Sequence, residues 1–373
     1  MQKRFQDNDV STDLEPAPEP SPSLSHLQIA LRALLGLAVG TAGGAVFDLL
    51  HSPLPWTLGA LTATAIVTIA GREWFLPVFV WNIARPFVGV LAGSAFTLPV
   101  VLSILDWWSV VVAMLVYSAV MTLIGWVYFG RLCKFDNVTA FFASAPGGLG
   151  ELTLLGGTLG GNVRRLALVH SVRIIAVVFI VPFLVRAFFP PVGPEIVPHA
   201  AHAAGGTALD YAVLIGCGFF GFFAGKPWRN LGGIMLAPMI FSAAAHATDL
   251  THVVPPSWLI ACGQVVIGVI AGTRFAGVSW RELHTTVLQG FGWALILVAA
   301  AMVAALICSF FAPQSFTALL LAFAPGGIVE ITIVAYAIGV EVAFVVTCHV
   351  CRVVAVLLVA PGLFRLIGSK AGR

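Results

Sequence analysis

Long apolar segments follow one another along the chain from about residue 27, separated by short polar or Gly/Pro-rich stretches. Six of them lie within residues 27–187 and six within residues 207–373. Most of these segments reach the ~20 residues that an α-helix needs to cross the ~30 Å hydrocarbon core of a bilayer. The pattern therefore predicts an all-α polytopic membrane protein.

The composition excludes several classes of protein. Hydrophobic residues make up 59% of the 373 residues, charged residues 9%, and the mean hydropathy is +1.00. A soluble domain carries about 25% charged residues, so a soluble enzyme and a soluble DNA-binding domain are both excluded. With 19 basic and 16 acidic residues the chain is too weakly basic to bind nucleic acid. The expected partners are the lipid bilayer and a small-molecule or ion substrate, and assembly into a homo-oligomer is left open.

Two polar segments divide the chain. Residues 1–26 are acidic and rich in Pro and Ser, which predicts a disordered tail. Residues 188–206 are rich in Pro, Gly and His and contain no Lys or Arg, which predicts an extracytoplasmic linker. The predicted organisation is therefore a tail, a first membrane repeat over 27–187, the linker, and a second membrane repeat over 207–373.

An internal repeat underlies this division. The segment A-P-G-G-L-G-E-L-T at 145–153 recurs as A-P-G-G-I-V-E-I-T at 324–332, which is a shift of 179 residues. The same shift relates further residues: Gly89 to Gly268, Gly93 to Gly272, His170 to His349 and Arg173 to Arg352. A single shift that aligns rare polar residues within apolar segments indicates a duplication.

These paired motifs, A-P-G-G-[LI]-x-E-[LI]-T followed downstream by H-x-x-R, resemble the bacterial AbrB-type integral membrane family, which is defined by a duplicated domain. The resemblance covers about residues 27–370 and implies a multi-spanning inner-membrane protein that acts as a transporter without a settled substrate. Members of the family also carry the labels ammonia monooxygenase and AbrB-family regulator. An enzyme would need a redox metal or flavin site, and a regulator of gene expression would need a soluble output domain. Neither follows from these residues, so no metal site and no cofactor is predicted.

The distribution of basic residues predicts the topology, because cytoplasmic loops are enriched in Lys and Arg. If every segment crosses the membrane, Arg164 and Arg165 fall outside, against this rule. If each Pro-Gly-Gly segment instead enters and leaves the membrane on the same side, every basic loop lies in the cytoplasm. The basic loops are at Arg72, Arg131/Lys134, Arg164/Arg165, Lys226/Arg229 and Arg274/Arg281. The prediction is two inverted-topology repeats, each with five spanning helices and one re-entrant hairpin, and both termini in the cytoplasm. A broken but fully spanning helix remains the alternative.

The Pro-Gly-Gly segments are the first candidate for a substrate site. Proline removes a backbone donor and glycine permits positive φ, so each segment is expected to interrupt a helix. Within a membrane, irregular backbone is tolerated where it is buried in protein or lines a cavity. The alternatives are a packing kink and the tip of a hairpin at a substrate site. The residues are Pro146, Gly147 and Gly148 in the first repeat and Pro325, Gly326 and Gly327 in the second.

Polar residues next to these breaks complete the candidate substrate- or ion-binding site. Each glutamate falls in the first turn of the helix after a break, where it either caps the helix or carries protons or substrate. Each arginine either forms a structural bridge to the neighbouring glutamate or binds an anionic substrate while the histidine relays protons. The threonines are candidate hydroxyl ligands. The residues are Glu151, Thr153, His170 and Arg173, and Glu330, Thr332, His349 and Arg352. The predicted function is a secondary transporter of a small solute, coupled to protons.

Overall fold

The computed structural model describes residues 26–72, 77–188 and 206–364, and within these ranges it contains helices and no strand. The all-α prediction is thereby confirmed. Most of the tail (1–25) and of the linker (189–205) lies outside the described residues. The α-helices are α1 His26–Leu49, α2 Pro55–Ile69, α3 Val78–Gly93, α4 Leu98–Leu102, α5 Trp108–Val127, α6 Asn137–Ser144, α7 Leu149–Thr158, α8 Val163–Phe188, α9 Ala208–Gly225, α10 Gly233–Ala247, α11 Ser257–Thr273, α12 Trp280–Glu282, α13 Leu288–Cys308, α14 Phe316–Phe323, α15 Ile328–Ile338 and α16 Val342–Leu363.

Six apolar helical stretches of the described residues have the length and hydropathy needed to cross a membrane. They contain 22 to 29 residues each: 27–49, 104–132, 163–188, 208–229, 284–308 and 342–363. Helices α2, α3, α10 and α11 are also apolar but contain only 15 to 17 residues. At 1.5 Å per residue they extend about 22–26 Å, which is less than the hydrocarbon thickness. The sequence predicted these four elements as longer segments.

Close helix contacts join the first part of the chain to the second. Helix α2 packs on α11, and α3 packs on α10. A Cβ atom added to Gly268 would lie 2.6 Å from the backbone oxygen of Thr57, and one added to Gly93 would lie 2.9 Å from the backbone nitrogen of Ala243. The G-x-x-x-G pattern of α3 and α11 therefore lies at contacts where two backbones approach closely, as small-residue motifs do between membrane helices.

A second group of helices, α5 to α8 with α13 to α16, surrounds the two Pro-Gly-Gly segments. Helices α5 and α13 are joined by two hydrogen bonds from tyrosine hydroxyls. Tyr117 donates to the backbone oxygen of Leu297 at 3.0 Å, and Tyr128 donates to that of Gln289 at 3.1 Å. The fully buried Trp293 stacks on Tyr128 with ring centroids 5.5 Å apart. These contacts fix the framework against which the interrupted helices lie.

A matched pair of substitutions tests the close helix contacts. Gly268→Ala places a methyl group against the backbone of α2, and we expect it to lower the free energy of unfolding by about 1–3 kcal/mol, as overpacking does. Gly216→Ala in α9 is the control, because its nearest neighbour would be a Phe220 ring atom at 3.9 Å. The alanine there should be neutral or stabilising, by up to about 1 kcal/mol. Thermal melting in detergent measures both, and equal melting temperatures would contradict the close contact.

Candidate functional site

Both Pro-Gly-Gly segments interrupt a helix, as the sequence predicts. Helix α6 ends at Ser144, and Ala145 has extended backbone angles (φ −66°, ψ 127°) before α7 begins. Ala324 is extended in the same way (φ −58°, ψ 132°) between α14 and α15. Helices α7 and α15 are then followed by Gly160 and Gly339, whose φ angles of 91° and 76° suit a helix C-terminus.

The two ends of each interrupted segment lie side by side. The backbone N–H of Asn162, after α7, donates to Oγ1 of Thr139 in the first turn of α6 at 2.7 Å. In the second segment Ser315, the N-cap of α14, donates its hydroxyl to Glu341, after α15, at 2.7 Å. Each helix–break–helix segment is therefore a hairpin whose tip is the Pro-Gly-Gly sequence.

The glycines of the tips do not adopt positive φ, contrary to the expectation from sequence. Gly148 and Gly327 have φ of −65° and −76°, and Gly147 and Gly326 are not among the positive-φ residues either. Instead, the glycines leave room for the glutamate side chains that fold back over them. A Cβ atom on Gly148 would collide with the carboxylate of Glu151, and one on Gly327 would collide with that of Glu330.

The two buried arginines hold the hairpin tips through backbone carbonyls. Arg173 donates from Nη1 to the oxygen of Ala145 at 2.9 Å and from Nη2 to that of Gly147 at 2.7 Å. Arg352 makes the matching pair, to Ala324 at 3.0 Å and to Gly326 at 3.3 Å. Of the two alternatives for each arginine, the bridge to the neighbouring glutamate is not seen: neither arginine has an ion pair within 4 Å among the described residues. Because the break leaves carbonyls without helical partners, a guanidinium with several donors in a fixed plane stabilises them better than a single bond would.

The two glutamates lie in the first turns of α7 and α15, as predicted, but their surroundings differ. Glu330 is buried and forms an ion pair with Arg274, with Oε1 3.4 Å from Nη2. Glu151 is half-buried, and among the described residues it has no ion pair within 4 Å; the nearest positive charge acting on it is Arg85 in α3. Both carboxylates fold back over the N-terminus of their own helix, where they are favoured by the unpaired N–H groups.

Sequence reasoning missed the role of Arg274. It counted this residue as a basic loop charge, yet the side chain is only 7% exposed and lies against Glu330. The 179-residue shift relates Arg274 to Ala95, so the repeat gave no signal for it. Arg85, in contrast, precedes the glycine motif of α3 and was identifiable as a polar residue in an apolar helix; it lies in electrostatic range of Glu151, Arg274 and Glu330.

The histidines and threonines of the candidate site differ in how far their polar atoms are satisfied, and neither ring nitrogen of His170 has a hydrogen-bond partner among the described residues. His170 and His349 are fully buried, and Nδ1 of His349 lies 3.1 Å from the oxygen of Val345 in its own helix. Thr332 donates to the oxygen of Ile328 at 2.7 Å, so its hydroxyl is used within α15. The buried hydroxyl of Thr153 has no hydrogen-bond partner among the described residues. Of the predicted hydroxyl ligands, only Thr153 retains a free hydroxyl.

The loop that carries Arg274 is fixed to the start of α8. Arg164 pairs with Glu282 (Nε–Oε1 2.5 Å) and donates to the backbone oxygen of Gly277 at 2.8 Å. The N–H and hydroxyl of Ser279 also donate to Glu282. These hydrogen bonds, the Ser279 ones above all, lower the pKa of Glu282 to about 2. The carboxylate is therefore ionised at neutral pH and keeps the loop in place.

This arrangement defines a class: a helical membrane protein with two interrupted hairpins whose tips are held by buried arginines. Comparison with known proteins gives the family. The family described as "Transition state regulatory protein AbrB" matches residues 56–368, and the chain belongs to this family.

Two relatives cover nearly all of the chain. It is similar to "Uncharacterized protein YhjN" of Bacillus subtilis (strain 168), with 25% identity over 92% of this chain and 94% of the relative. It is also similar to "Putative regulator AbrB" of Escherichia coli (strain K12), with 23% identity over 87% of this chain and 93% of the relative. The family resemblance deduced from the repeated motifs is thus confirmed.

Removing one arginine tests its hold on the hairpin tip. Arg173→Gln should lower the stability of the protein strongly, because each hydrogen bond from a charged group contributes about 1.5–3 kcal/mol. Arg173→Lys should be intermediate, since a single ammonium cannot span both carbonyls as a planar guanidinium does. The exposed Arg131→Gln is the control. Melting in detergent and amide hydrogen exchange of residues 145–152 are the measurements. Unchanged exchange in Arg173→Gln would show that the arginine does not hold the tip.

Proposed function

We propose that the protein is a secondary transporter of a small solute, coupled to protons, with its substrate site at the two hairpin tips. The observation that carries the proposal is the pair of interrupted hairpins with charged residues at their tips. Discontinuous helices near the middle of the membrane are the usual way in which transporters place polar groups and helix termini at a substrate. Charged residues inside a membrane are costly and are commonly functional.

We infer that the hairpins are re-entrant and enter from opposite sides of the membrane. The flanks of the first hairpin carry Arg131, Lys134, Arg164 and Arg165, whereas residues 309–341, which contain the second hairpin, have no Lys or Arg. Since the two ends of each hairpin meet, the charge rule assigns the first to the cytoplasmic side and the second to the outer side. Gly147 faces Val356 of α16 and Gly326 faces Val177 of α8, so each tip lies against a long helix of the other half of the chain.

The orientation of α5 and α13 supports inverted repeats. The shift of 179 residues makes these two helices counterparts. From Tyr117 to Tyr128 along α5 the bonded residue moves from Leu297 back to Gln289 along α13, so the two counterparts run antiparallel. If one unit is present twice and its corresponding helices run antiparallel, the two copies have opposite orientations in the membrane. With the four shorter helices included, each repeat would cross the membrane five times.

Glu151 is the carboxylate that we assign to proton coupling. It lies at a hairpin tip, is half-buried, and has no ion pair with any residue that the structure describes. Glu330 is less suited to this role because Arg274 balances its charge. The regulatory role in the family description would require an output surface for gene control. The described part of the chain consists of membrane-type helices, so we favour transport.

Reporter fusions test the topology. Fusions after residues 26 and 373 should report a cytoplasmic location, and a fusion after residue 200 should report an extracytoplasmic one. A fusion after Lys134, in a basic loop, serves as the internal cytoplasmic control. The physical reason is the retention of Lys and Arg on the cytoplasmic side during insertion. A cytoplasmic signal at residue 200 would overturn the inverted arrangement.

Neutral substitutions of the two glutamates test the coupling. Glu151→Gln should keep nearly wild-type melting but lose solute-driven proton movement, because glutamine has the same size and cannot carry a proton. Glu330→Gln should instead lower stability by about 3–5 kcal/mol, because it leaves Arg274 without its counter-charge. Proteoliposomes containing a pH-sensitive dye, challenged with a panel of organic acids, amines and sugars, give the readout. Wild-type proton movement in Glu151→Gln would exclude that residue, and none in the wild type for any solute would contradict proton-coupled transport.

A further inference from the structure

Six charged side chains near the hairpin tips interact electrostatically, and two of them, Arg274 and Glu330, form an ion pair. Arg85 lies in electrostatic range of Glu151, Arg274 and Glu330, and Glu330 also acts on Arg173, which in turn is close to Arg352. The cluster contains four arginines and two glutamates. Because the arginine side chain keeps its charge in proteins, two positive charges remain without a carboxylate of the cluster to balance them.

In the described part of the chain, Arg274 has more unpartnered donor atoms than Arg173 or Arg352. Arg173 and Arg352 each use both terminal nitrogens on the carbonyls of a hairpin tip. Arg274 uses only Nη2, at 3.4 Å from Glu330. Its Nε and Nη1 are buried and have no hydrogen-bond partner among residues 26–72, 77–188 and 206–364. Buried donors are nearly always satisfied in folded proteins. Two unpartnered nitrogens on one guanidinium suit a ligand better than the single unpartnered Nε of Arg173 or of Arg352.

The surroundings of Arg274 favour an anion as that ligand. The side chain lies against the first turn of α15, whose unpaired N–H groups and helix dipole add positive potential. Arg85 contributes a second guanidinium from α3, with its Cζ 4.5 Å from the ring centroid of Trp81. Guanidinium groups bind carboxylate and phosphate oxygens through paired, charge-assisted hydrogen bonds. A cation would meet two uncompensated positive charges here.

We propose that this cluster binds a small solute with two negative charges on carboxylate or phosphate oxygens, with Arg274 as the principal contact and Arg85 as the second. Such a ligand would balance the excess charge and satisfy the free donors of Arg274 together. These contacts are the evidence for binding of the dianion. Its movement across the membrane rests on the transport function proposed above.

Thermal stabilisation of the purified full-length protein in detergent tests the proposal, with succinate and inorganic phosphate as probes and choline as the cationic comparison. Succinate or phosphate should raise the melting temperature in a saturable manner, and choline should not. The probe with the lower apparent Kd identifies the oxyanion. Arg274→Gln should weaken binding of that probe at least tenfold, and Arg274→Lys should weaken it less. The exposed Arg281→Gln is the control and should bind as the wild type does.

Loss of folding in Arg274→Gln would not end the test, because Arg85→Gln, at a half-buried position, should also weaken dianion binding several-fold. Stabilisation by choline alone, or an unchanged Kd in both arginine variants, would overturn the proposal. Flux assays with the same probes in proteoliposomes separate it from the transport function. Binding without flux would support the dianion site and contradict transport of the dianion. Flux of another solute that survives Arg274→Gln would support transport and contradict the dianion site.

Discussion

The structure depends on hydrogen bonds from buried arginines to backbone carbonyls. An interrupted helix in an apolar environment leaves peptide groups without partners, and water is not available to satisfy them. Arg173 and Arg352 each bond two carbonyls on either side of a proline that cannot donate. The charged side chains are therefore what permits the irregular backbone, and the irregular backbone is followed directly by the N-termini of α7 and α15.

The two halves share this arrangement but differ in how their glutamates are balanced. Glu330 has Arg274 as an ion-pair partner, and the counterpart of Arg274 in the first half is Ala95. Arg85 in the first half corresponds to Gln264 in the second. The two hairpins, similar in backbone, thus have unlike charges around their glutamates: Glu330 has an ion-pair partner, and Glu151 has none among the described residues.

Much of the fold could be predicted because it depends on local properties of the sequence. Apolar segment length indicated the helices, and the repeated proline and glycines indicated the breaks and the glutamates of the first turns. The partners of Arg173 and Arg274 could not be predicted, since they depend on which elements meet in space. From charge alone, a glutamate was a reasonable partner for Arg173. In the structure its partners are backbone carbonyls of the interrupted helix. Arg274 lacked a repeat counterpart, so nothing in the sequence distinguished it from a loop residue.

The packing of α2 on α11 and of α3 on α10 affects how the protein is made. The chain enters the membrane from its N-terminus, so α2 and α3 are synthesised well before the glycine-rich surface of α11 and the backbone of α10 exist. Helix α2 can pack on α1 as soon as both are inserted, but its contact with α11 and that of α3 with α10 must wait for the second half. These contacts are therefore late, and a truncated chain that ends in the linker would keep the contact between α1 and α2 and lack the other two.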